Sequence, residues 1–151
     1  MRVTGSVVLP VPVAEAWEAL SRWEEQPRWM RDADAVEVLT GHRTGLEVRI
    51  AVRTRVLGIP AFTEILEVVR WDPPHRMRLA HRGFVRGYGE WTLRVPAAGD
   101  PRRTLFTWTE NLGIDVPVIG GLALGAYGPV MAWLIRGSLR NLQRLLAPST
   151  P

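Results

Sequence analysis

The stretch from Val116 to Leu146 constrains this chain more than any other. Its first part, Val116 to Ile135, carries no charged residue and is punctuated by Pro117, Gly120, Gly121, Gly125, Gly128 and Pro129. From Val130 onward Met131, Leu134, Ile135, Leu139, Leu142, Leu145 and Leu146 recur at spacings of three and four. Arg136, Arg140 and Arg144 form a separate stripe, so the pattern is that of an amphipathic helix. Such a helix needs a broad apolar partner, which can be a protein core, a cavity wall or a bilayer. The uncharged run is long enough for a membrane span. Against a span, Pro129 would break the helix near its centre, and the glycines weaken it further. No transmembrane span is expected, which leaves peripheral contact as the membrane reading.

The elements before this helix decide which partner it has. Arg2 to Leu9 reads as a strand ended by Pro10. A short helix follows, with Pro12 at its first position and Val13, Ala16, Trp17 and Leu20 on one face, opposite Glu15 and Glu18. A second short helix runs from Trp23 to about Met30. Trp17, Trp23 and Trp29 are six residues apart and cannot all share one helical face.

After Asp32 the period becomes two. Val36 and Val38 begin a strand, and Gly41 to Gly45 make a hairpin turn. Leu46, Val48, Ile50 and Val52 then alternate with Glu47, Arg49, Ala51 and Arg53. Further strands are expected from Phe62 to about Trp71, Arg76 to Arg82, Phe84 to Val95 and Thr104 to Leu112, with Asp72-Pro73-Pro74-His75 as a turn. The fold class is α+β: about seven antiparallel strands, two short helices after the first, and one long C-terminal helix covering the sheet's apolar face. Residues 1–147 are expected to form one domain, with 148–151 a frayed tail.

Composition removes several function classes. With no cysteine, disulfides and thiolate chemistry are excluded. All the basic residues are arginine, which points to coding composition more than to a need for guanidinium. The N-terminal segment lacks the apolar core of a signal peptide, so the expected compartment is the cytoplasm. No nucleotide-binding, nucleophile-elbow or metalloprotease motif is present. His75 and His81 are roughly 20 Å apart along one strand, and no metal or cofactor is expected. Outward arginines such as Arg49, Arg53, Arg78 and Arg94 are interrupted by Glu47 and Glu90, and a nucleic-acid partner is not expected. Monomer and homodimer both remain open.

Several residues carry a family resemblance. They are Pro12-Val13-x-x-Ala16-Trp17-x-x-Leu20, Trp23-x-x-x-Pro27-x-Trp29, the Glu67-x-x-x-Asp72-Pro73-Pro74-x-Arg76 hairpin, and the long helix closing on Asn141-Leu142. In these the chain resembles the START-like, birch-pollen-allergen-like helix-grip superfamily (SRPBCC), and within it the polyketide cyclase/dehydrase and lipid-transport group. The resemblance covers essentially the whole chain in element order. It implies a curved sheet gripping the helix, with a hydrophobic small molecule in a cavity between them. Members range from cyclases to carriers and ligand sensors.

Alternation then nominates the site. Phe106, Trp108, Glu110 and Leu112 share the bulkier face of the last strand, which carries Glu110 inward. His81 shares a face with Met77 and Leu79. His81 and Glu110 are therefore the candidate acid/base pair. Glu64 and Glu67 lie on opposite faces of one strand, so one of them should face the cavity. The expected ligand-binding set is Trp29, Met30, Glu67, Arg70, Trp91, Trp108, Tyr127, Met131 and Leu134. Arg70 enters because the resemblance implies an arginine in that part of the hairpin meeting polyketide oxygens, although an exposed arginine is the alternative. Val116 to Gly128 reads as a gate leading to the gripped helix from Pro129. Trp133 is either covered by arginine stems or free for a partner. The functions compatible with these groups are acid/base cyclisation or dehydration of a polyketide-, lipid- or aromatic-like ligand, non-catalytic carriage or sensing of one, and peripheral membrane association.

Overall fold

In the computed structural model the described residues are 1–56, 58–114 and 119–149, with 119–124 described by backbone alone. Seven strands form one antiparallel sheet: β1 (Arg2–Leu9), β2 (Ala33–Val38), β3 (Arg49–Val56), β4 (Ile59–Asp72), β5 (Arg76–Arg82), β6 (Val85–Arg94) and β7 (Thr104–Ile114). Their spatial order is β1-β7-β6-β5-β4-β3-β2. Strands β2 to β7 are thus joined to their sequence neighbours, and β1 returns to lie beside β7. Helix α1 (Val13–Leu20) and a 3₁₀ helix (Trp23–Arg28) connect β1 to β2, and α2 (Ile119–Leu146) closes the chain. This is the expected helix-grip α+β architecture.

The sheet's inner face is built by the alternation seen in the sequence. Val48, Ile50, Val52, Val68, Met77, Leu79, Trp91, Leu93, Phe106, Trp108 and Leu112 are buried, and so are Met131, Ile135, Leu139 and Leu142 of α2. Polar bonds hold the helix in place: Gln143 donates to the Val8 carbonyl at 2.9 Å, and the Arg31 amide donates to Ser138 Oγ at 2.9 Å. The three early tryptophans divide, as their spacing requires. Trp17 and Trp23 pack on Trp71 (centroids 5.1 and 6.5 Å), while Trp29 packs on Trp91 and Trp108 at 6.0 and 5.9 Å. Aromatic pairs at these separations add edge-to-face attraction to their burial.

Three local readings change, and the open phase of β4 is decided. Pro12 is the N-cap of α1 and not its first helical residue, because its ψ of 157° is extended. Leu46 is exposed and Glu47 has φ 67°, so the chain turns there and β3 begins only at Arg49. A register shift between Val68 and Arg70 changes the parity of β4, so Glu64, Leu66, Val68 and Trp71 all take the inner side. The largest change concerns α2, which is helical from Ile119 and passes through Pro129 without ending. Proline leaves the carbonyl four residues earlier without its helical donor. That carbonyl belongs to Gly125, which is exposed, as is Pro129, so water can satisfy it. Of the proposed gate, 116–118 lie outside the described residues, and 119–128 belong to the helix.

Among the described residues no helix is long and apolar enough to cross a membrane. On the outer face of the sheet, arginines are paired with acids. Glu67 accepts from Arg49 and Arg82, and Glu90 accepts from Arg76 and Arg78.

Candidate functional site

A cavity of about 340 Å³ lies between the inner face of the sheet and α2. Most of its wall is apolar: Ile50, Val52, Leu66, Leu79, Trp91, Trp108, Leu112 and Met131 contribute, with Met30 and Phe62. Set into that wall is one cluster of ionisable groups, made by Asp32, Glu64, His81 and Glu110, with Tyr127 nearby on α2.

His81 is the centre of the cluster. It sits near the end of β5, on the same face as Met77 and Leu79. Its Nδ1 lies 3.2 Å from Glu64 Oε1 on β4, and its Nε2 lies 3.3 Å from Glu110 Oε2 on β7. The other oxygen of Glu110 accepts the indole N–H of Trp108 at 2.7 Å. Strands β5 and β7 are not neighbours, since β6 runs between them. Roughly 10 Å of sheet therefore separates the two backbones. The bond between His81 and Glu110 can form only if β6 presents no side chain there.

Two glycines meet that requirement. Gly87 pairs with His81 and Leu112, and Gly89 pairs with Leu79 and Glu110, so both face inward. A Cβ at Gly89 would lie 2.6 Å from Glu110 Oε1, in the space the carboxylate occupies. Gly87 has φ 119°, a conformation L side chains rarely adopt. The sequence Gly87-Tyr88-Gly89 at a strand's period of two is the signal that could have revealed this floor.

The electrostatics follow from the geometry. Burial alone would push the His81 imidazole down. The hydrogen bonds and charges of Glu110 and Glu64 outweigh it and hold the pKa at about 9. His81 is therefore doubly protonated at neutral pH and donates from both nitrogens. Asp32 moves the other way for a carboxyl: burial, with the nearby charges of Glu110 and Glu64, raises it to about 6. Tyr127 is raised to about 12 by burial and by Asp32 and Glu64, so its hydroxyl stays a donor.

The residues nominated from the sequence divide into three groups. His81, Glu110, Met30, Trp91, Trp108, Tyr127 and Met131 line the cavity. Trp29 and Leu134 are buried but are not among the residues lining the cavity, and Trp29 packs on Trp91 and Trp108, which are. Glu67 and Arg70 point away from the cavity. Glu64 takes the inner side of β4, so Glu67 is outside and pairs with Arg49 at 2.6 Å, while Arg70 is exposed and bonds Asp72 at 2.5 Å. The nomination of those two as ligand contacts is corrected by the strand's phase. Asp32 was missed because it stands alone between the 3₁₀ helix and β2, where no alternation assigns it a side. Trp133 is half exposed beneath a guanidinium 4.1 Å from its ring, and that cation is Arg31 rather than a neighbour on α2. His75 bonds the Leu93 carbonyl and His42 that of Leu46, both away from the cavity. Among the described residues no group of His, Asp and Glu has the arrangement to hold a metal ion.

Solved structures with this architecture are numerous. An aromatase/cyclase, Zhui of Streptomyces sp. R1128, superposes with a TM-score of 0.79 at 16% identity, covering 97% of this chain and 93% of that one. A protein of Thermus thermophilus gives 0.78 at 19% identity, covering 97% of both chains. A START superfamily protein of Mycobacterium smegmatis gives 0.72 at 15% identity, covering 95% of this chain and 98% of that one. These likenesses carry the fold. No curated protein sequence matches the chain. The family described as polyketide cyclase/dehydrase and lipid transport matches residues 1–147, and the chain, with its helix-grip sheet and interior cavity, belongs to that family.

Proposed function

We propose that this protein binds a compact hydrophobic small molecule, seating its apolar body against Trp91, Trp108, Leu79 and Met131 and turning its polar end toward His81, Glu64 and Glu110. The observation that carries this reading is an apolar cavity whose described lining residues include one ionisable cluster. Sites of this kind use a few placed polar groups for orientation and apolar area for affinity. The volume is that of about eleven water molecules in the liquid, which suits a ligand of roughly a dozen to twenty non-hydrogen atoms. The family's association with hydrophobic ligands supports the same class. The test is native mass spectrometry of the purified protein, combined with titration by prodan, a neutral naphthalene dye. One-to-one retention of a small apolar molecule, or saturable blue-shifted prodan emission, is expected. The absence of both a retained molecule and dye binding would overturn the reading.

The cluster suits an anchor better than a proton shuttle centred on His81. An imidazolium held by two carboxylates gives up its proton near pH 9, well above the neutral range where acid/base catalysis works best. A second reading does add catalysis, because Asp32, raised to about 6, changes protonation where such chemistry needs it. In that reading Asp32 moves the proton in a dehydration or cyclisation. Turnover of a β-hydroxyketone probe would then follow one titration near the Asp32 value and be lost in Asp32→Asn. A flat profile across the neutral range would remove the catalytic reading and leave binding intact.

A further inference from the structure

The cavity wall has an imbalance of charge and of hydrogen-bonding groups. Asp32, Glu64 and Glu110 face it with His81, and no arginine is among the described residues that line it. Against three carboxyl groups there is one cation. Both N–H groups of that cation are already taken, one by Glu64 and one by Glu110. An anionic ligand would find no free charged donor here. The Gln26 amide nitrogen is likewise engaged, with the Leu20 carbonyl. The donors the wall leaves free are neutral, the Tyr127 hydroxyl among them, while most of its charged groups are carboxylates.

Asp32 is the clearest of these. It is half-buried and lines the cavity. Among the described residues no side chain donates a hydrogen bond to it. Its own backbone amide donates to it, but a partly buried carboxylate that no cation bonds still costs stability unless something pairs with it. Two further carboxylates close enough to raise its pKa make that cost larger. Trp91, Trp108 and Tyr127 line the same cavity, and aromatic faces attract organic cations in a dry site. An excess of carboxylates over cations, in a wall that also carries aromatic rings, is what recognises a protonated amine.

We propose that the cavity's ligand is a hydrophobic amine bound as its monocation, with the ammonium at Asp32 beside Glu64 and Glu110 and the apolar body against Trp91 and Trp108. This rests on the proposed binding function and assigns its ligand class. Asp32 supplies the charge complement, while Glu64 and Glu110 orient His81 and set the local potential. A ligand whose polar end is a carboxylate is disfavoured, because it would sit against the same carboxylates with no cation free to meet it.

The test compares three probes of one shape near neutral pH by isothermal titration calorimetry: naphthylethylamine, naphthylethanol and naphthylacetate. The amine should bind at least about tenfold tighter than the alcohol, as expected for a desolvated ion pair, and the acid more weakly than either. Asp32→Asn should bring the amine-to-alcohol ratio down to about threefold or less, through a loss of the amine's affinity. Glu64→Gln is the second variant, and it should lower the same ratio less. If the acid binds as well as the amine, or the ratio survives Asp32→Asn, the amine assignment is overturned while the binding function stands. If none of the three binds the wild type and prodan also fails, both fall together.

Discussion

Gly89 leaves the space that Glu110 occupies, and it is the residue on which the His81 cluster depends. A methyl group there would displace a carboxylate oxygen 2.6 Å away. Gly89→Ala is expected to break the bond from His81 to Glu110, lower the His81 pKa from about 9, and cost about 1–3 kcal/mol of stability. Imidazole NMR titration and urea unfolding measure the two effects, and an unmoved His81 titration would show that β6 is not the floor described. Asp32 offers the opposite experiment. Its folded pKa lies above its ordinary value, so its charge costs stability above about pH 6 and costs nothing below about pH 4. Asp32→Asn is therefore expected to stabilise the empty protein by about 1–3 kcal/mol at about pH 8 and to change little at about pH 4. Equal effects at both pH values would contradict the burial of that charge.

At the scale of elements, α2 does two jobs with one apolar arc. Its C-terminal half fills the core through Ile135, Leu139 and Leu142, while Tyr127 and Met131 one or two turns earlier face the cavity. The expected contrast is between Leu142, which is fully buried, and Leu145, which is 38% exposed. Leu142→Ala should cost about 2–5 kcal/mol by transfer and cavity terms, and Leu145→Ala less than about 1 kcal/mol. Matched losses in denaturant unfolding would mean that the helix is not gripped along the face seen here. The continuity of α2 through Pro129 was not legible from the residue types, because a proline's penalty depends on whether the freed carbonyl reaches water. Position 125 is exposed, and that is a property of the packed helix.

For the whole molecule, the consequence of the cluster is a pH dependence of stability. A histidine whose folded pKa is raised contributes stability that is complete below its unfolded value of 6.5 and lost as pH rises through about 9. The loss should amount to about 3 kcal/mol over that window. Wild-type stability measured by urea unfolding from about pH 6 to pH 10 is expected to fall along this curve, and His81→Gln should flatten it. A wild-type profile level over that range would refute the pairing of His81 with Glu64 and Glu110. This slope and the alkaline cost of Asp32 have the same sign, so the empty protein should be more stable on the acid side of neutrality than above it. A cationic ligand would lessen the cost at Asp32.

Residue types and their spacing settle the element order and the inner face of most strands, because one buried side of an antiparallel sheet imposes a period of two that they report directly. They also settle that Glu110 and His81 face inward and that the long helix covers the sheet. Tertiary structure alone decided which of Glu64 and Glu67 faces the cavity, since the register shift near Val69 sets the phase of β4 and leaves no mark in composition. It also decided that residues on β4, β5 and β7 meet. Their contact depends on the absence of side chains on the intervening strand, and on strand order, which local periodicity does not encode. Asp32 was hidden for the same reason: a lone carboxylate in a connection has no periodic partner, and only packing carries it into the cavity.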